Sequence, residues 1–208
     1  MQAIPDFTAY AKEKLMPYGV DVSVDIFGYT ASVIEASGIG QNFPQISENV
    51  DVISSMIYPS HWGTNYFGIY KPDLYPYELV AEYMKVENEL LGTLETPPIS
   101  RPWLQDFTAS YLGSGFYQTY GKAQVDAQVQ ALYDAGVNEF LLWNALNVGV
   151  FFYGFSRLPF LSTTVKAGAL WLMIPEMMTT TQNCQSNALM AGLILCCFNA
   201  LESGRSLT

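Results

Sequence analysis

Histidine is almost missing from this chain of 208 residues: His61 stands alone. Without a second histidine, a cysteine cluster or paired carboxylates beside it, the ligand set of a zinc centre is lacking, and no metal is expected. Cysteine is scarce as well. Cys184, Cys196 and Cys197 all lie in the last 25 residues. That odd, clustered set supplies neither a disulfide framework nor metal-ligand spacing, so the three read as free thiols. Charged residues make up only 13% of the chain, nine basic against nineteen acidic, for a formal net charge of −10. Neutralising phosphates requires a basic surface, which excludes nucleic acid as a partner. Neither G-x-G-x-x-G nor a P-loop occurs, so a nucleotide-binding sheet has no phosphate cradle and no cofactor is expected. The longest apolar stretch, 187–201, falls short of the ~20 residues of a membrane span. Residues 1–6 show neither a basic n-region nor an apolar h-region, so no secretory leader is expected.

What remains is apolar and aromatic. Hydrophobic residues make up 50% of the chain and aromatics 14%, enough for a sizeable core. Low charge combined with many rings suits neutral, ring-shaped ligands. The chain also divides in two. Residues 1–148 hold all the acidic groups except Glu176 and Glu202, and all the basic ones except Arg157, Lys166 and Arg205. Before that break helix and strand patterns alternate. After it come long apolar runs without a clean period.

The first region reads as α-β-α-β-α-β-α-β. Phe7, Tyr10, Ala11, Leu15 and Tyr18 share a helical face, with Pro5 in the first turn and Gly19 as the stop. Val22, Val24 and Ile26 alternate with Ser23, Asp25 and Phe27, which is a strand. A short helix over 44–50 precedes a strand over 52–58, and the Gly-, Pro- and aromatic-rich 59–75 is a long loop. Loops of that length in compact domains are usually functional. A helix over 76–91, a strand over 99–107, a helix from Lys122 to Gly136 and a strand over 140–144 follow. Such spacing suits crossover units of a parallel sheet. The acidic side chains Glu78, Glu82, Glu87 and Glu89 read as a solvated helix face.

Polar and aromatic groups gather where these strands end: Asp25, then Tyr58 and His61, then Gln105 and Asp106, then Trp143 and Asn144. Parallel β/α enzymes place their chemistry at that edge.

Several segments carry a family resemblance: Val24-Asp25-Ile26-Phe27-Gly28, Met56-Ile57-Tyr58-Pro59-Ser60-His61, Phe67-Gly68-Ile69 with Pro76-Tyr77-Glu78, Arg101-Pro102-Trp103-Leu104-Gln105-Asp106-Phe107, and Leu142-Trp143-Asn144-Ala145. They resemble a bacterial family of putative glycoside hydrolases with a TIM-barrel fold, over about residues 3–148. The resemblance implies an α/β fold: a partial (β/α)8 barrel made of the last four units over 1–148. An irregular apolar tail, frameshifted or fused, would follow over 149–208. Full-length members would carry four earlier units, one of them ending in an Asp-Tyr-x-Arg-type segment that supplies an essential carboxylate. It also implies hydrolysis of O-glycosidic bonds in a polysaccharide or glycan. A non-catalytic carbohydrate-binding remnant and an inactive gene fragment are the alternatives.

Glycoside hydrolysis needs two carboxyl groups, one kept protonated and one ionised. Asp25 and Asp106 are the candidates; otherwise each caps a loop or orients a neighbour. Residues Gln105 and Asp106 cannot both face inward on a regular strand, so one must lie beyond its end. His61, positioned by Tyr58, reads as a substrate binder or else a structural hydrogen-bonder. Trp62, Trp103 and Trp143 would form an aromatic floor for sugar rings, or else simply pack. Gln105 and Asn144 would orient hydroxyls. Arg101 either pairs with a strand-end carboxylate or, as a residue at a strand start, belongs to the opposite, structural face. Two open edges of a half-barrel would invite self-association.

Overall fold

Alternating β-branched and polar residues shape the sheet that carries the fold. In a computed structural model, which describes residues 2–144 and Leu195–Phe198, α1 (Ala3–Leu15) leads into β1 (Asp21–Phe27). Val22, Val24 and Ile26 are fully buried on one face of β1, and Ser23 and Asp25 nearly so on the other. Burial on both faces is the environment of a strand inside a parallel sheet.

The chain continues through α2 (Tyr29–Val33), a small hairpin of β2 (Glu35–Ala36) and β3 (Gln41–Asn42), and α3 (Phe43–Ser47). The Asn42 side chain accepts from Gln45 N, capping α3. Next come β4 (Val52–Met56), α4 (Pro76–Leu91), β5 (Ile99–Ser100), β6 (Trp103–Gln105), α5 (Lys122–Asp134), β7 (Leu141–Trp143) and β8 (Leu195–Phe198). The sheet order is β7-β6-β4-β1-β8, with β5 also on β4. Neighbouring pairs from β1 to β7 are parallel and β8 is antiparallel to β1. The protein is thus a mixed α/β molecule built on a parallel sheet, in which strands consecutive along the chain lie side by side.

The strand expected over 99–107 is two short pieces, because Pro102 has no N–H for the ladder. Pairing resumes around it: Arg101 N donates to the Ile53 carbonyl and Leu141 N to the Pro102 carbonyl, both at 2.9 Å. The Arg101 guanidinium meets Glu139 at 2.5 Å, just ahead of β7 and away from the strand tips.

Helices α4 and α5 cover one face of the sheet. Leu79, Val80, Tyr83 and Met84 from α4, with Val125, Val129 and Leu132 from α5, join Val22, Val24, Ile26, Ile53, Ile57 and Leu104 in one core. Glu87 corrects the expectation of a solvated acidic face. It is fully buried, and its carboxylate accepts from Ser55 Oγ at 2.7 Å and Ser100 Oγ at 2.5 Å. Burial pushes its pKa up, and the two serine bonds work against that rise. The first helix is a second correction. Phe7, Tyr10 and Tyr18 are exposed; of the expected face Ala11 is buried and Leu15 packs against the core, and α1 buries Pro5 and Thr8 besides. Small side chains let its backbone approach its neighbours closely, which leaves the bulky rings outside. Of the tail over 149–208, β8 alone lies among the described residues; it pairs with the first part of the β1 edge, over Asp21–Val24.

Gly28, directly after β1, is required by close backbone approach: a Cβ there would sit 2.4 Å from the Met56 carbonyl oxygen. Gly28→Ala is expected to cost about 2 kcal/mol, because a backbone atom cannot step aside as a side chain can. Urea unfolding measures this, and an unchanged midpoint would contradict it.

Candidate active site

Period-two alternation puts Ser23, Asp25, Ser54, Met56 and Trp103 on the sheet face opposite the helices. Asp25 lies inside β1, level with Ser54 of β4, and is 3% exposed. Burial raises its pKa from 3.8 to about 6, partly opposed by a hydrogen bond from the Trp103 indole. The result is a carboxyl group that exchanges its proton close to neutrality, which is what proton-transfer catalysis requires.

Tyr58 links this deep carboxyl to the rim. Burial first, and the nearby Asp25 charge second, push the phenol pKa up and keep it protonated. The Tyr58 ring meets His61 edge-on at 5.0 Å and Phe107 at 5.9 Å, and His61 and Phe107 lie 6.3 Å apart. His61 is exposed at this rim, yet partial desolvation lowers its pKa below 6.5. It therefore stands as a neutral imidazole at physiological pH.

Asp106 is the first residue past β6, mostly buried, with its N–H bonded to the Trp143 carbonyl at 3.0 Å. Asn144 Nδ2 donates to the Asp106 carbonyl at 2.5 Å. Asp25 and Asp106 occupy different depths. Asp25 is level with Ser54, and two residues farther along β4 Met56 is level with Trp103. Asp106 thus lies roughly five residues beyond Asp25 along the strand direction, about 16 Å of rise.

Gln105 is fully buried and does not present its amide to solvent. Its Oε1 accepts from Ser60 N at 2.9 Å, and its Nε2 donates to Asp73 Oδ1 and to the Phe107 carbonyl, each at 3.0 Å. With both amide protons committed inside the protein, Gln105 ties the 59–75 loop to the segment after β6. Asp73 completes that tie: its Oδ2 accepts from Gln118 N at 3.0 Å, and its carbonyl accepts from Gln118 Nε2 at 2.7 Å and Tyr120 OH at 3.1 Å. Burial raises the Asp73 pKa, against the opposing pull of these hydrogen bonds.

The three indoles part company. Trp103 and Trp143 pair edge-to-face at 6.0 Å, and Trp143 is exposed. Trp62 turns into the core, 9% exposed, against Tyr66, Phe67 and Tyr83 at 4.7, 5.3 and 5.7 Å. It takes no part in an open floor.

Sequence reading missed Asp73, Gln118 and Gln128. The Gln128 amide holds the β6 backbone by accepting from Gln105 N at 3.0 Å and donating to the Gln105 carbonyl at 2.8 Å. A readable signal existed for it, since Gln128 sits between Val125 and Leu132 on the apolar face of α5. Asp73 carried none, because its partners are distant in sequence.

A family model described as a putative glycosyl hydrolase domain matches residues 1–148. The chain belongs to that family. That family-level description implies a carbohydrate as the substrate class. Comparison with curated proteins and with solved structures returned no match. Among the described residues of the domain, no group of three His, Cys, Asp or Glu side chains could hold a metal ion, and no helix is long and apolar enough to cross a membrane.

Proposed function

We propose that this domain is a glycoside hydrolase in which Asp25 is the proton-donating carboxyl group. The observation that carries the reading is the buried Asp25, its pKa raised to about 6, on the inner face of a parallel sheet. A carboxylic acid that keeps its proton up to about pH 6, well above the ordinary carboxyl range, can protonate a leaving glycosidic oxygen. Tyr58, His61, Trp103, Trp143 and Asn144 would line the sugar path above it, and Asp106 would act at the rim. Side-by-side parallel strands joined through helices support reading β1, β4, β6 and β7 as successive units of a (β/α)8 barrel, with 149–208 as a separate segment.

One observation favours a second reading, in which the domain binds carbohydrate without cleaving it. Opposed glycosidase carboxyls sit about 5 to 9.5 Å apart, whereas the strand register sets Asp25 and Asp106 at different depths. A panel of aryl glycosides and polysaccharides separates the two. Release of aryl alcohol or reducing ends, reduced about a hundredfold by Asp106→Asn, supports hydrolysis with Asp106 taking part. Turnover unchanged by that substitution removes Asp106 from the site. Oligosaccharide binding without any turnover supports the second reading.

A further inference from the structure

Lys12, Lys14, Lys85, Arg101 and Lys122 each lie within ion-pair distance of a carboxylate. Lys71 is the one Lys or Arg among the described residues with no such partner. In an acidic chain of net charge −10, a cation without an ion pair among the described residues stands out. Aromatic rings hold it instead: its Nζ lies 4.6 Å from the Phe116 centroid and 5.6 Å from that of Tyr70, and those rings are 6.3 Å apart. Cation–π contact orients an ammonium without neutralising it, so the charge remains available to a ligand.

Tyr70 is 59% exposed and Phe116 37%, which leaves ring surface open beside the cation. The platform comes from two loops, one following β4 and one following β6, both on the strand-tip side of the sheet. Those loops are locked together next to it: Asp73, two residues from Lys71, bonds to Gln118, two residues from Phe116. A site assembled on cross-linked loops loses little entropy when it binds.

We infer that Lys71, Tyr70 and Phe116 form a binding site for a carboxylate-bearing sugar unit of the substrate, the rings stacking on the sugar and Lys71 pairing with its carboxylate. This rests on the carbohydrate reading of the domain and narrows it to acidic glycans such as polyuronates. The chain's net negative charge opposes a polyanion at long range, but at 0.15 M salt that repulsion is screened beyond about 8 Å, so contact at Lys71 prevails.

The test uses the full chain and measures retardation in gels containing polygalacturonate or neutral dextran, at 0.15 M salt. Retardation by polygalacturonate and not by dextran is expected. Lys71→Met should weaken it about tenfold, the value of one charge-assisted contact. Lys71→Arg should retain most of it, and Phe116→Ala should weaken it with the charge still present. No retardation of the unsubstituted chain by polygalacturonate, or equal retardation of Lys71→Met, overturns the site. Aryl glycoside hydrolysis by the unsubstituted chain reports separately on catalysis. Retardation without hydrolysis keeps the site and discards the enzyme, and hydrolysis without retardation does the reverse.

Discussion

Replacing Asp25 with Asn is expected to lower kcat roughly a thousandfold, within the usual range for removing a general acid. The amide keeps the shape of the carboxyl and its place beside Trp103, but has no acidic proton to give. In the unsubstituted protein, activity should fall as pH rises through about 6, where the Asp25 carboxyl ionises. A pH–rate profile checks this; a rate that climbs through that point would make Asp25 a base or nucleophile instead.

The same substitution should move stability the opposite way, upward at high pH. The folded-state pKa lies above the unfolded value, so between pH ~3.9 and ~6 the native state binds more protons, and stability falls as pH rises across that window. At pH 8 the buried anion costs roughly 3 kcal/mol at most, from a shift of 3.8 to about 6. Asp25→Asn removes that cost. Loss of activity together with a higher urea midpoint at pH 8 is a pairing that ordinary misfolding does not produce. A variant that is both inactive and destabilised would would count against the assignment.

Gln105→Leu is the second large effect, with an expected loss of about 4 kcal/mol. The substitution is close in volume, so packing changes little. Its cost comes from the partners left behind: the Ser60 N–H and the Asp73 Oδ1 lose their hydrogen bonds to the amide in a buried setting. Limited proteolysis should then cut within 59–75 and 107–121, because the tie between those loops is gone. Urea unfolding that shows a loss below about 1 kcal/mol, with both loops still resistant, would show that Asp73 and Gln118 hold the loops unaided.

How much of this could be read from residues alone depends on the distance over which each feature is decided. The alternation of Val22, Val24 and Ile26, the core side chains of α4 and α5, and the position of Tyr58, His61, Asp106 and Asn144 just past strand ends are local patterns. Periodicity records them because neighbouring residues share one surface. The exposure of Phe7 and Tyr10 was not legible, since α1 meets the fold through Pro5, Thr8 and Ala11, and packing overrode the apolar stripe. Nor was the burial of Glu87, whose serine partners arrive from β4 and β5.

The sequence by itself determined the alternating α/β order, the parallel crossovers and the family of the domain, because those follow from local periodicity and contiguous motifs. Tertiary structure alone decided that Asp25 sits deep with a raised pKa, that Gln105 is a loop tie, that Trp62 belongs to the core and that Lys71 rests on the rings of Tyr70 and Phe116. Each of those depends on what a side chain meets across strands and loops, and desolvation and hydrogen bonding are set by that meeting.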